Sequence, residues 1–212
     1  MPRNHTDRLK KKNIVLLEGH DDCDFFHYYF RFLNLKSFQL IGCEGKDSLK
    51  NHVTAIKAQS NYSDLSNLIV VQDNDSDPTR RFIEICNNLK KAGIGSIPTA
   101  PYRIAGSNPA ISIVLLPNEN IPGDIEKLIL ETFEGNPVKK CSKEFISCFL
   151  SNNPHCTLKD TKLSKAELQA IMSVVTEEPC RDIGIAAQHN AWSFDHIKFH
   201  HLKVFFTQLE NS

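Results

Sequence analysis

Three aspartates follow directly on a short apolar run. The stretch LIVVQDNDSDP places Asp73, Asp75 and Asp77 just beyond the four apolar residues 68–71. Carboxylates this close together repel one another and resist ionisation unless a cation or a hydrogen-bond donor compensates for them. The spacing therefore indicates either a cation site or a helix cap.

A fourth acidic residue, Glu18, ends an earlier apolar run. NIVLLEG (residues 13–19) and NLIVVQDND (residues 67–75) are both typical of buried strands. Ligands bind beyond the carboxyl ends of parallel strands, so Glu18 and Asp73 share one sheet edge if these strands are neighbours. Asp75 points the same way if the chain stays extended. Mg²⁺ takes oxygen ligands and keeps positions open for a phosphate, which suits phosphoryl chemistry.

The elements that must position these acids alternate along the chain. We predict strands in residues 13–19, 37–45, 67–75 and 110–117, with helices between them. This alternation predicts an α/β fold, a Rossmann-like core with a mostly parallel sheet flanked by helices. The strand pattern fades after about residue 120. We therefore predict an α/β core over residues 1–120 and a helical C-terminal extension over residues 121–212, which can pack on the core as one domain.

Composition narrows the class of protein. Lys+Arg and Asp+Glu are equal at 25 each, so no overall basic field attracts a polyanion. None of the seven cysteines lies in a CxxC pair, which argues against a zinc site of paired cysteines.

The basic N-terminal stretch lacks the apolar segment of a secretory signal. No apolar run reaches the roughly 18 residues of a membrane span. We expect a cytoplasmic protein that is not inserted in a membrane.

Two motifs carry a resemblance to a known family. EGHDDCDFF reads as Glu18-Gly19-x-x-Asp22-x-x-Phe25, and QDNDSD supplies Asp73-x-Asp75. Together they resemble the TOPRIM domain of topoisomerases, bacterial primases, RecR-type repair proteins and OLD-family nucleases. The chain is most similar to small stand-alone TOPRIM proteins related to OLD-type nucleases. It shares with them a later Pro-Gly-x-x-Glu, residues 122–126, and the aromatic tail WSFDHIKFHHLKVFF.

The resemblance implies a set of site residues. It makes Glu18, Asp73 and Asp75 the acid/base and Mg²⁺- or Mn²⁺-binding positions. OLD-like nucleases use further metal ligands, which in this chain would be Asp22, Asp77 and Glu126. They also use a lysine near the scissile phosphate, which would be Lys165.

These positions imply a function. The expected activity is metal-dependent hydrolysis of DNA or RNA phosphodiesters, in some relatives beside an ATPase partner protein in phage defence. The alternative is a non-catalytic TOPRIM module that binds nucleic acid or a partner protein. Both a monomer and a homo-oligomer are compatible with the sequence.

Each acidic residue also has a structural interpretation. Asp73 to Glu84 has the spacing of an EF-hand calcium loop, although Pro78 stands where that loop needs glycine. Asp-x-Asp also occurs as the nucleophile motif of phosphatases, which would leave Glu18 unexplained.

The aspartates can also have a structural role, because they can cap the helix that Pro78 opens. Asp22 and Glu126 can be first-turn acids, and Lys165 can be a solvated helix residue.

Other signals are weaker. His196 and His200 are four residues apart, a spacing that can bind zinc, but no third ligand accompanies them. The segment from Gly42 to Lys46 resembles a P-loop whose glycines are too close together, so a tight turn is the better interpretation, with Lys46 near the acidic edge. Of the basic pairs, Arg80 and Arg81 lie nearest the acids and could neutralise phosphates.

Overall fold

A computed structural model describes residues 8–45 and 48–211. Its centre is one five-stranded sheet with the order β2-β1-β3-β5-β4. The strands are β1 (Asn13–Leu17), β2 (Phe38–Gly42), β3 (Asn67–Asp73), β4 (Ile104–Ala105) and β5 (Ala110–Leu116). The helices are α1 (His20–Phe32), α2 (Leu49–Lys57), α3 (Pro78–Lys91), α4 (Ile125–Leu130), α5 (Pro137–Asn152), α6 (Asp160–Val175), α7 (Ile183–Gln188) and α8 (His200–Glu210).

The four long strands are parallel, and only β4 runs antiparallel to its neighbour β5. Strand β1 pairs with β3, with Leu17 opposite Val71, so Glu18 follows the strand at the level at which β3 is ending. Asp73 is the last residue of β3 and is paired with Leu116 of β5. Glu18 and Asp73 therefore lie on the same edge of the sheet, as the sequence predicts for parallel neighbours.

Apolar residues cover both faces of the sheet, which is why the strand sequences are almost continuously apolar. Alternate residues of β1, β3 and β5 pack on α2 and α3 on one face. The other alternate residues pack on α1 and on the helices that follow residue 120. The aromatic tail belongs to this second cluster, in which Phe25 and Phe26 of α1 meet Trp192, Phe199 and Phe206.

These observations confirm the predicted α/β class, with a mostly parallel sheet flanked by helices and a helical C-terminal region. Strand β4 was not predicted, because a two-residue strand is too short to show a periodic pattern. The tight turn predicted after Gly42 is present, with Gly45 at φ +105°. Lys46 lies outside the described residues. Within the described ranges, no helix is both long enough and apolar enough to span a membrane.

Candidate active site

Arg81 forms the cationic centre of the carboxyl edge of the sheet. It lies on the buried side of α3 and is only 7% exposed. Its Nη2 is 3.3 Å from a carboxylate oxygen of Glu18, and its Nε donates to the carbonyl oxygen of Asp73 at 3.2 Å. Nη1 donates to Glu84 at 3.3 Å, and Asp75 lies 3.9 Å from Nη2. Arg81 therefore joins the ends of β1 and β3 and neutralises one side of the edge.

Asp73 occupies the most acidic point of the edge. Burial of its carboxyl group, followed by the charges of Asp22, Glu18 and Glu126, raises the pKa of Asp73 well above its usual value. The backbone N–H of Ile125 donates to its Oδ1 at 3.1 Å, which links the end of β3 to the start of α4. Asp73 is thus oriented by the backbone and surrounded by other acids.

Asp22 lies beside Asp73, in the first turn of α1. Gly19 is the N-cap of this helix, and its N–H donates to Asp22 Oδ2 at 2.9 Å. Burial raises the pKa of Asp22 to about 7, and the neighbouring Glu18 and Glu126 contribute in the same direction. The capping interpretation of Asp22 is therefore correct, and the same carboxylate also belongs to the acidic cluster.

The start of α4 brings two more buried acids. Asp124, 2% exposed, caps the helix because its Oδ1 accepts from Lys127 N–H at 2.9 Å. Glu126, 6% exposed, lies 3.4 Å from Lys165 Nζ through Oε1. Asp124 Oδ2 and Glu126 Oε2 are buried without a hydrogen-bond partner among the described residues. Burial raises the pKa of both carboxyls. Burying a polar oxygen without a hydrogen-bond partner is costly.

The chain does not stay extended between Asp73 and Asp75. Asp75 adopts a left-handed backbone with φ +54° and donates its N–H to the carbonyl oxygen of Gly123 at 2.9 Å. Gly123 has φ +148°, and a Cβ there would come within 2.6 Å of Lys127. The glycine of the Pro-Gly-x-x-Glu segment is thus required for the loop to pack on this turn. Asp75 lies at the rim, with a side chain that is 39% exposed and 3.9 Å from Arg81 Nη2.

Asp77 is the N-cap of α3, and its Oδ1 accepts from Arg80 N–H at 2.9 Å. The helix-cap interpretation is therefore correct for this residue. The EF-hand alternative is wrong, because the segment is a strand, a turn and then helix α3, and Glu84 lies on that helix beside Arg80 and Arg81.

The donor set suits a hard cation, but the side chains are not arranged as a ligand shell. Within residues 8–45 and 48–211, no group of three or more His, Cys, Asp or Glu side chains is placed to hold a metal ion. This also leaves His196 and His200 without a zinc geometry. The orphaned oxygens of Asp124 and Glu126, with the crowded Asp73 and Asp22, are the atoms that a bound cation would satisfy. Binding would require these side chains to move together.

Comparison with known families gives one match, over residues 12–211. The chain belongs to the family described as Protein of unknown function (DUF3226). No curated protein and no solved structure matches it. The DUF3226 match spans both the sheet and the C-terminal helices, so the strand-end acids and the acids of α4 lie within the matched region.

Two residues of this DUF3226 chain were missed or misread by sequence reasoning. Asp124 precedes a helix and looks like an ordinary cap. Arg81 was interpreted as a surface cation for phosphates, yet it is buried and bound to protein carboxylates, whereas Arg80 is exposed and pairs with Glu84. The spacing of Arg81, Ile85 and Leu89 could have placed Arg81 on the buried face of α3.

Proposed function

We propose that the chain is a Mg²⁺- or Mn²⁺-dependent nuclease that hydrolyses nucleic-acid phosphodiesters at the carboxyl edge of its sheet. The observation that carries the proposal is the orientation of three acids. Asp22, Asp73 and Asp124 each have one carboxylate oxygen fixed by a backbone N–H. The second oxygen of Asp124 and Oε2 of Glu126 have no hydrogen-bond partner among the described residues. The charges of Asp22 and Glu126 both act on Asp73. The resemblance to TOPRIM domains at Glu18, Asp73 and Asp75 supports the same function.

The chemistry divides between the cation and the chain's own residues. A divalent cation held by Asp22, Asp73, Asp124 and Glu126 would polarise a phosphate and lower the pKa of a bound water. Arg81 holds Glu18 in position, where its carboxylate can orient a water and accept its proton. Lys165 has a side chain that is 57% exposed and adjoins Glu126, so it can contact a phosphate oxygen at the mouth of the site.

A direct assay tests the activity. Purified protein is incubated with single-stranded DNA, duplex DNA and RNA in Mg²⁺ or Mn²⁺. We expect cation-dependent cleavage that Asp73→Asn reduces at least about 100-fold, since the variant removes a central charge of the metal site. Asp64→Asn is the matched control, because exposed Asp64 precedes the other end of β3. Absence of cleavage, or equal cleavage by Asp73→Asn, would refute the nuclease proposal.

Cation binding has its own readout. We expect Mn²⁺ to raise the Tm of the wild type, because a ligand that binds only the folded state stabilises it. Asp124→Asn keeps the cap of α4 but removes the negative charge of one proposed metal ligand. It should therefore reduce the rise in Tm. Asp182→Asn is the control, because Asp182 caps α7 in the same way but lines a different cleft with Asp24 and Tyr28. Equal rises in the two variants would contradict the ligand assignment.

The second candidate function is binding without cleavage, as a TOPRIM module that holds nucleic acid or a partner protein. The observation that favours it is the internal neutralisation of Glu18 by Arg81, together with the lack of a preformed ligand group among the described residues. The cleavage and Mn²⁺ assays separate the two candidates. The resemblance also implies an ATPase partner and a role in phage defence, and both belong to the nuclease candidate.

A further inference from the structure

The sheet ends in two edge strands that differ in length and composition. Strand β4 has only two residues, and a short edge strand is one natural protection against pairing with another chain. Strand β2 has five residues, FQLIG, without a charge or a proline, and all five are half-buried. In the part of the chain that the structure describes, no strand pairs with the outer side of β2. An uncharged edge of this length is a template for a further strand.

The register of β2 shows which of its backbone groups face outward. Cys43 N–H donates to the carbonyl oxygen of Leu17 at 2.7 Å, so the backbone groups of residue 43 point to β1. Both groups of one residue point to the same side of a strand, and those of the next residue point to the other side. The N–H and C=O groups of Phe38, Leu40 and Gly42 therefore point away from β1.

These outward groups fit a second copy of β2 in antiparallel orientation. A two-fold axis at Leu40 places this residue opposite Leu40 of the other copy, as a hydrogen-bonded pair. Phe38 of each copy then lies opposite Gly42 of the other, where no side chain obstructs the aromatic ring. These pairs are hydrogen-bonded too, so the two strands exchange about six hydrogen bonds.

The residues that flank β2 carry opposite charges. Lys36 precedes the strand, Glu44 follows it, and both are exposed. Both are four positions from Leu40, so the antiparallel arrangement brings Lys36 of each copy to the end of the ladder where Glu44 of the other copy lies. Within one chain the two residues are about 25 Å apart, because an extended strand separates them. Glu44 has φ +52° and turns out of the strand, so this charge pairing lies at the ends of the ladder.

The surroundings of β2 leave its outer side accessible. On the face that α1 covers, Phe38 and Leu40 line an open depression of about 700 Å³, which α7 borders. On the other face, the side chain of Gln39 bonds to the backbone of residues 8 and 10, which uses none of the outward groups. Glu210 accepts from the N–H of Lys36 at 2.9 Å, before the strand begins. The open part of the ladder is therefore β2 itself.

We propose that two copies of this chain associate through β2 and form one continuous sheet, with the two-fold axis at Leu40. The inference is independent of the proposed function and gives the open edge a partner, a second copy of the chain. A two-fold contact uses the same edge of both copies, so the assembly closes at the dimer. Because the paired strands run in opposite directions, the two acidic clusters lie at opposite edges of the joined sheet.

Sedimentation equilibrium of the full chain tests the charge pairing. We expect the wild type to dimerise reversibly, and Lys36→Glu and Glu44→Lys each to raise the Kd of the dimer at least about tenfold. Each variant places like charges at both ends of the ladder, which destabilises the pairing. Lys36→Glu/Glu44→Lys should return the Kd to within about threefold of the wild-type value. Salt should reduce the effect of each single variant, because it screens exposed charges.

Leu40→Pro tests the ladder itself. The N–H of Leu40 points away from β1, and proline is tolerated in an edge strand where the N–H faces solvent. This variant should keep the fold and raise the Kd at least about tenfold at any salt concentration. Lys90→Glu is the control for charge, because Lys90 is exposed and lies on α3, which packs on β5 and not on β2. It should dimerise as the wild type does.

Circular dichroism establishes which variants are folded, and the charge variants decide alone if Leu40→Pro is not. A wild type that is monomeric at all concentrations overturns the assignment and leaves the edge to a strand of another protein. The assignment also fails if folded Leu40→Pro dimerises normally. It fails as well if the charge-reversed double variant is no tighter than the single variants, because the two-fold register requires the reversed charges to meet.

Discussion

The acidic cluster is neutralised differently on its two sides. On the β1–α3 side, Arg81 contacts Glu18 and Glu84 and lies 3.9 Å from Asp75. On the α1–α4 side, the half-exposed Lys165 lies 3.4 Å from Glu126. Its charge and that of Lys127 also act on Asp124. The raised pKa values belong to this second side. The β1–α3 side therefore has a buried counter-ion, whereas the ion pair of the α1–α4 side is made by an exposed lysine.

This difference indicates which side serves the fold and which serves a ligand. A buried ion pair is costly to break, because removing one partner leaves an unpaired charge. A crowded group of acids without a cation destabilises the fold unless protons or a metal compensate for it. We therefore infer that Arg81 is structural and that the α1–α4 side is where an external cation binds. Substitutions on each side of the cluster test this division.

The largest effect is expected at Arg81. Arg81→Met removes the buried cation that contacts both Glu18 and Glu84, and we expect a loss of about 3 kcal/mol in the free energy of unfolding. Arg80→Met is the matched control. Arg80 is exposed and pairs with Glu84 on the helix surface, so its loss should cost much less than the loss of Arg81. Urea denaturation of both variants measures the difference, and equal losses would contradict the structural role of Arg81.

The next effect is a dependence of stability on pH at Asp22. Its pKa is about 7 in the folded protein, against an ordinary value of 3.8. The folded state therefore retains a proton that the unfolded state has lost. The stability that this group contributes is fully present below about pH 4 and is lost as the pH rises to about 7.

Comparison with Asp22→Asn isolates this contribution, because asparagine can still accept from Gly19 N–H. In EDTA we expect the variant to gain about 2 kcal/mol relative to the wild type between pH 5 and pH 8. One pKa unit is worth about 1.4 kcal/mol, and solvent and salt screen part of the shift. Urea denaturation across this range measures the gain. A constant difference between the two proteins would show that the carboxyl titrates normally.

The shared position of Glu18 and Asp73 can be predicted from the sequence because it depends only on sheet topology. Apolar runs marked β1 and β3, and parallel neighbours bring their carboxyl ends together, so Glu18 and Asp73 were placed on one edge in advance. For Asp77 the sequence offered both a metal ligand and a cap of the helix that Pro78 opens, and the structure shows the cap. Asp75 was placed less well, since its left-handed backbone depends on a contact with Gly123, 48 positions later.

The remaining features depend on how helices dock. Arg80 and Arg81 are adjacent in sequence, but successive residues of an α-helix point about 100° apart. Arg80 therefore faces solvent and Arg81 faces the acidic cluster. Asp124 caps α4 through one oxygen, and the packing of α4 against Asp73 leaves its other oxygen without a partner in the part of the chain that the structure describes. No local pattern contains that information.

The smallest effect on stability is expected at Lys165. Its ion pair with Glu126 is half-exposed, so Lys165→Gln should change the free energy of unfolding by less than about 1 kcal/mol. If Lys165 contacts the reacting phosphate, kcat for phosphodiester hydrolysis should nevertheless fall at least about tenfold. Lys162→Gln, one turn earlier on α6 and exposed, is the control and should change neither quantity.

The combination of the two measurements decides what Lys165 does. A loss of kcat with normal stability assigns the lysine to substrate, because a merely structural cation would change stability first. A loss of stability comparable to that of Arg81→Met would instead make Lys165 the internal counter-ion of the α1–α4 side. In that case this side would need no external cation, and the division between the two sides of the cluster would fail.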